Sequence, residues 1–341
     1  MSIKLNLKKD TIDLSHGAGG KAMAMLIDQL FRKCFDNDIL AQQSDAAVLS
    51  LSAKRIAVST DTYVISPLFF PGGDIGSLAI HGTVNDVALS GATVRYITVG
   101  LVIEEGFPLS DLKRIVESMA LAAKLAGVCI VTGDTKVVER GKGDGVFINT
   151  TGIGVFDVDV NWQQRPQIGD KIILSGQIGN HGVAVMSKRQ NLSFDSKIVS
   201  DSAALNGLIA QMRDSGCLIR TMRDPTRGGI AATLNEWAHQ FGVGVHIDES
   251  NIPVHPTVQS ACELLGLDPL NIANEGKLLA IVAAQDAEKL LAVMRQHPLA
   301  EQAAMVGEIT EDRNHFVSLT TSFGGRRMVQ WISGEQLPRI C

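Results

Sequence analysis

Four aspartates stand against apolar stretches of this 341-residue chain. They are Asp45 in Ser44-Asp45-Ala46-Ala47-Val48, Asp61 in Ser59-Thr60-Asp61-Thr62, Asp86 in Thr83-Val84-Asn85-Asp86-Val87-Ala88 and Asp134 in Thr132-Gly133-Asp134-Thr135-Lys136. Burying carboxylates without partners costs several kcal/mol each, so if these four converge a cation must sit among them. A ligand set of oxygens alone suits Mg²⁺, which usually takes one or two carboxylates together with waters and substrate phosphates. The acids therefore point to a metal–nucleotide complex. Taken singly, each Asp also fits a turn or a helix cap. Asp86 fits neither, because it falls inside a helical pattern of small and apolar residues.

Further along, Arg223-Asp224-Pro225-Thr226-Arg227-Gly228-Gly229 precedes a helical pattern. Two cations, an acid and glycines at a helix N-terminus suit a phosphate or metal-phosphate contact, with a plain helix-capping loop as the other possibility. Glu275 in Asn274-Glu275-Gly276-Lys277 has the composition of an ordinary turn. Near the N-terminus, Gly17-Ala18-Gly19-Gly20-Lys21 is either a flap over phosphates, with Lys21 as point charge, or a flexible linker. Five cysteines without a C-x-x-C pair argue against a disulfide framework or a structural zinc site. Cys34, Cys129, Cys217 and Cys262 adjoin apolar runs and suit packing, whereas Cys341 ends the sequence, where by position alone a thiol is either accidental or a carrier. His16, His81 and His181 share no metal-ligand spacing and suit structural or solvated roles.

Several function classes drop out. Phosphate cradles of the G-x-x-x-x-G-K-[ST] and G-x-G-x-x-G types are absent, as are H-E-x-x-H and G-x-S-x-G. A net charge of −5, spread without a basic block, offers nucleic acid no footprint. No apolar run approaches the roughly 18–20 residues of a membrane span, and Met1–Lys9 lacks the apolar middle of a signal peptide, so a cytoplasmic location is expected.

The elements that must position these residues follow from periodicity. Met23, Leu26, Ile27, Leu30 and Phe31 mark an amphipathic helix within 19–34. Ala46–Leu51 and Ile56–Thr60 read as a hairpin whose second strand ends at Asp61. Helices are expected over 76–89 and over 111–126, with Ser110 as N-cap, and strands over 93–104, 128–132 (ending in Gly133-Asp134) and 146–156. The pattern breaks at Arg165-Pro166 and restarts with a strand at 171–174. The second half repeats it, with helices near 183–189, 202–216, 229–240, 256–265 and 287–296 and strands near 243–247, 278–282 and 306–309. From 331 to 341 the chain reads as an extended or loosely ordered arm. The 16 steps from Gly325 to Cys341 reach at most roughly 53–58 Å, enough for a carrier. Strands that alternate with helices yet also sit hairpin-close indicate a mixed α/β (α+β) fold of two domains.

Taken together, the acid motifs, Thr60-Asp61, Gly133-Asp134-Thr135-Lys136 and Asp224-Pro225-Thr226-Arg227-Gly228-Gly229 resemble the ATP-binding superfamily of aminoimidazole ribonucleotide synthetase, selenophosphate synthetase and thiamine-monophosphate kinase over nearly the whole chain. Within it, His16-Gly17-Ala18-Gly19-Gly20-Lys21 with Pro338-Arg339-Ile340-Cys341 is similar to the hydrogenase maturation factors that act as carbamoyl dehydratases. The resemblance implies an aminoimidazole ribonucleotide synthetase-like fold: a flap and leading helix (1–40), an ATP-binding domain whose sheet pairs into a barrel across a homodimer (41–160), a C-terminal α/β domain (168–320) and a tail carrying the thiol (321–341). It implies ATP and Mg²⁺, with Asp45, Asp61, Asp86, Asp134 and Asp224 around the metal, and Lys136, Arg227, Gly19, Gly20, Lys21 and Gly228 at the phosphates. It also implies that the carbamoyltransferase HypF loads a carboxamide on Cys341, that Glu275, or in reserve Asp86, takes its protons, and that cyanide passes through a HypC–HypD scaffold to the iron of nickel–iron hydrogenase. Another kinase or synthetase of the superfamily, or a nucleotide-gated scaffold, is the alternative. A selenophosphate synthetase would carry a reactive Cys or selenocysteine in the glycine loop, and a small-molecule kinase has no use for Cys341.

Overall fold

Alternating burial along strands and apolar stripes along helices build two sheets in the computed structural model, which describes residues 5–17, 21–42, 46–51, 54–192, 198–331 and 339–340. The leading amphipathic stripe forms one helical stretch: α1 (Lys21–Leu26), a π-helical turn at Ile27–Phe31, and α2 (Arg32–Cys34). Leu26, Leu30 and Phe31 are its buried side.

The first sheet contains β1 (Ile56–Tyr63), β4 (Thr93–Glu104), β5 (Cys129–Val138) and β6 (Val146–Val155), in the order β1-β6-β4-β5. Its pairs are antiparallel except β4–β5, whose parallel crossover is α4 (Leu109–Ala126). Between β1 and β4 come a small hairpin of β2 (Phe69–Phe70) and β3 (Gly73–Asp74), then α3 (Ile75–Leu89). Asp74 caps α3 by accepting from the backbone of Gly76 and Ser77. Helix α3 is buried on nearly every side and lies across β6. Gly152 permits this crossing, since a Cβ there would come within 2.8 Å of Thr83 and Val87.

Four sequence expectations need correction. Ala46–Leu51 forms no strand; it has no ladder partner, and β1 pairs with β6 instead of forming a hairpin. Asp61 and Asp134 lie inside β1 and β5 instead of at strand ends, because the ladders run on to Tyr63 and Val138. Ser110 does not cap α4; the first turn closes on the carbonyl of Pro108, which accepts from Asp111 and Leu112. Cys129 also departs from a packing role, being exposed at the start of an edge strand, while Cys262 is buried.

The second sheet is larger. It is built from β7 (Lys171–Leu174), β8 (Ile219–Arg223), β9 (Gly244–Asp248), β10 (Leu279–Val282), β11 (Ala304–Thr310), β12 (Val317–Thr320) and β13 (Arg326–Met328), in the order β13-β12-β9-β11-β7-β10-β8. Only β9 and β12 pair in parallel. The helices α5 (Asn180–Arg189), α6 (Asn206–Asp214), α7 (Gly229–Phe241), α8 (Pro256–Leu265) and α9 (Ala287–Met294) accompany it. Every residue of β10 is buried, as expected of a strand covered on both faces. Among the described residues, no helix is long and apolar enough to cross a membrane.

The first sheet differs in having a bare face. Residues paired directly across strands share a face, so Thr150, beneath α3, places Asp61 and Val99 on the covered side. Ile56 and Val58 project the other way and are 52% and 59% exposed.

Candidate active site

The site begins on the covered side of β1. Under it, Thr83 Oγ1 and Thr150 Oγ1 lie 2.5 Å apart, with Tyr63 OH 3.3 Å from Thr83. Asp86 projects from α3 toward the same strand and accepts from Ser59 Oγ at 2.9 Å. Burial pushes the Asp86 carboxyl up, and the Asp61 charge adds to this against the Ser59 hydrogen bond and Arg223. Asp86 is thus a carboxyl on a buried helix that faces Ser59 and lies near Asp61.

From the second domain, β8 delivers Asp224 at its end. Burial first, then the neighbouring charge of Asp86, raise Asp224 to about 7, although part of the residue remains solvent-accessible. Gly228 (φ +76°) and Gly229 (φ +60°) turn the chain into α7. At Gly229 a Cβ would come within 2.4 Å of the Leu270 carbonyl. Arg227 and Gly228 are exposed at the mouth of α7, while Arg223 pairs with Glu236 at 2.5 Å.

Glu275 closes the cluster. Asn274 anchors the turn, donating from Nδ2 to the Pro225 carbonyl at 3.0 Å and accepting from Gly179 N at 2.7 Å. Asp201 receives Glu275 N at 3.3 Å and Gly276 N at 3.2 Å, and lies 3.5 Å from Lys277 Nζ. Glu275 is 3% exposed and its Oε1 has no hydrogen-bond partner. Burial, then Asp224, Asp201, Asp61 and Asp86, hold its carboxyl well above the usual range. Asn85, next to Asp86, joins the domains: its Oδ1 accepts from Leu205 N at 2.7 Å and its Nδ2 donates to Ala203 O at 3.0 Å.

Asp61, Asp86, Asp224 and Glu275 therefore share one electrostatic neighbourhood. The charges of these neighbours add to burial in pushing the Asp86, Asp224 and Glu275 carboxyls up, and a cation among them would offset that repulsion. Among the described residues, no three His, Cys, Asp or Glu side chains converge tightly enough to hold a metal ion by themselves.

Asp134 and Lys136 sit elsewhere. In the register, Thr62, Asn149, Gly100 and Asp134 form one row across the bare face, opposite to the face of Asp61. β5 lies three strands from β1, roughly 14 Å at the usual spacing. Lys136 Nζ is 2.6 Å from Asp134 and holds its carboxyl below the usual range; both side chains are exposed. Asp45, Gly19, Gly20 and Cys341 lie outside the described residues, and Lys21 opens α1. Next to the flap, Gly17 approaches β5 so closely that a Cβ would meet Val137 N at 2.5 Å.

Asp201 escaped the sequence reading, and His181 was read there only as structural or solvated, without its contact to the chain end. Asp201 follows a stretch without periodicity, and its only signal was a polar triplet, Ser200-Asp201-Ser202. His181 is completely buried and bonds the Ile340 carbonyl, so the described end of the tail is docked and Ile340 is 2% exposed.

Comparison with known proteins agrees with this geometry. Residues 43–156 match the N-terminal domain of AIR synthase related proteins and residues 167–320 match their C-terminal domain. A carbamoyl dehydratase HypE from Cupriavidus necator is 60% identical over 341 residues, covering 99% of this chain and 97% of its own. A crystal structure of the hydrogenase maturation protein HypE in complex with ATP superposes with a TM-score of 0.92 at 48% identity, covering 96% of this chain and 99% of that one. A crystal structure of a HypE–HypF complex gives 0.78 at 47% identity, covering 89% and 99%.

Proposed function

The chain belongs to the HypE family of AIR synthase related proteins, and from that membership we propose that it uses ATP to dehydrate a carboxamide carried on Cys341 to a thiocyanate. The thiocyanate supplies the cyanide ligands of iron in nickel–iron hydrogenase. Amide oxygen is a poor leaving group; bound Mg²⁺–ATP supplies the phosphoryl group that turns it into one. The bookkeeping closes: the carboxamide gives up its oxygen to inorganic phosphate and both N–H protons, ADP is the second product, and a carbon–nitrogen triple bond remains.

The residues divide this work. Asp61, Asp86 and Asp224 hold the cation, whose charge lowers the pKa of their neighbour Glu275. Glu275 takes an N–H proton at Oε1, while Asp201 fixes its main chain. Arg227, Gly228 and the first N–H groups of α7 face the phosphates. Asp45 and the flap residues Gly19, Gly20 and Lys21 complete the nucleotide site. Asp134 and Lys136 reach it only across a homodimer, in which the bare face carrying Ile56 and Val58 is covered by the sheet of a second copy. Loading by HypF and delivery to a HypC–HypD scaffold, in the cytoplasm, complete the cycle.

The observation that carries this reading is the buried Glu275 carboxyl, whose Oε1 has no hydrogen-bond partner among the described residues, in the field of Asp224, Asp201, Asp61 and Asp86. The test is the intact mass of the carbamoylated chain after incubation with Mg²⁺–ATP. Loss of one water from the C-terminal peptide is expected, and an unchanged mass with ATP consumed would refute the reading.

A further inference from the structure

The C-terminal end returns to the junction of the two domains and is held there by its main chain. The Ile340 carbonyl accepts from His181 Nε2 at 2.7 Å, and the Arg339 carbonyl accepts from Arg189 Nη2 at 2.8 Å and from Ser66 N at 3.2 Å. Arg189 Nε also reaches the Ser66 carbonyl at 2.8 Å. Since a carbonyl can only accept, His181 carries its hydrogen on Nε2, and Nδ1 of the neutral ring takes the Ser200 hydroxyl at 2.7 Å. Phe70 meets the imidazole edge-on, with centroids 5.4 Å apart. Arg339 takes φ +54°, a backbone conformation that side chains other than glycine seldom adopt, and both its flanking contacts are these carbonyl bonds. By contrast, the Arg339 side chain makes a half-exposed ion pair with Asp144, a type that contributes little.

We propose that His181 and Arg189 are positioning residues for the dehydration: by gripping consecutive main-chain carbonyls they fix how far along the backbone the reactive thiol stands. The inference rests on the proposed reaction at Cys341. Its physical basis is a length comparison. One added residue moves the chain end by up to about 3.3–3.6 Å, as large as the separation of about 3–3.5 Å that reacting atoms require. A seat built on carbonyls tolerates side-chain changes but not a change of register. It is also tied to the acids, because Ser200, bonded to His181, directly precedes Asp201, which holds the Glu275 turn.

The test uses the full chain in five forms: unmodified, with one alanine inserted between Ile340 and Cys341, Arg189→Gln, His181→Phe, and His181→Gln as the variant that restores a donor. Each is loaded by the carbamoyltransferase and followed by mass through a single turnover with Mg²⁺–ATP. Cys341 alkylation by iodoacetamide is read on the C-terminal peptide. The insertion should slow conversion by about a hundredfold or more and Arg189→Gln by about tenfold, with loading and thermal midpoint unchanged and alkylation several-fold faster. The insertion alters no residue of the folded body, so the test stands even if His181→Phe fails to fold. Conversion within twofold of the unmodified chain in both the insertion form and Arg189→Gln would overturn the proposal. If the unmodified chain loads but never converts, the reaction itself is wrong, and the alkylation rates still decide whether the seat exists.

Discussion

Asp61 and Asp134 are strand residues of one sheet, each next to a threonine, and the fold gives them opposite environments. Asp61 points to the covered face, near Asp86, Asp224 and Glu275, where burial and like charge outweigh the Arg223 guanidinium. Asp134 points to the bare face and is neutralised by Lys136 two residues on. Side-chain alternation decides which acid joins the cluster. The crowded group suits the proposed cation, whereas the exposed pair is already neutral.

Breaking the crowded side should give the largest effect. Glu275→Gln keeps the shape but removes the proton acceptor, and is expected to slow thiocyanate formation by about 10²–10⁴-fold with carbamoyl loading intact. Mass spectrometry of the loaded chain measures both; an unchanged rate would remove Glu275 from the chemistry. Next comes the bare face. Val58→Arg places an unpaired charge where a second sheet is proposed to lie, and should weaken the homodimer by about 2–4 kcal/mol in sedimentation experiments. A variant that dimerises normally would show that this face is not the interface.

Asp224 sharpens the contrast through pH. Its folded pKa of about 7 lies above the ordinary 3.8, so between those values the folded chain keeps a proton that the unfolded chain releases. Stability contributed by that proton is fully present below the unfolded value and is lost as pH rises to about 7. Metal-free Asp224→Asn should therefore be more stable than the unmodified chain by about 1–3 kcal/mol at pH 8, and this gain should vanish near pH 4. Denaturant titrations at the two pH values check it; destabilisation at pH 8 would mean that Asp224 is compensated after all. The smallest effect belongs to Asp134→Asn, which should change unfolding free energy by about 0.5 kcal/mol or less.

What was legible in the sequence were features carried by local pattern. Helix α3 announced itself by periodicity, and Asp86 by interrupting an apolar helix. The order of strands was partly hidden: Ala46–Leu51 has the alternation of a strand, but alternation does not supply a ladder partner. The separation of Asp134 from Asp61 depends on cross-strand register, which no short motif contains. Asp201 and His181 make contacts 74 and 159 residues away in the chain, so single-sequence spacing had no means of showing those contacts.

The most direct test of the central claim follows the oxygen atom. A chain loaded with a carboxamide bearing heavy oxygen, given Mg²⁺–ATP, should transfer that label into inorganic phosphate as the thiocyanate forms. Label appearing in water, with unlabelled phosphate released, would contradict it.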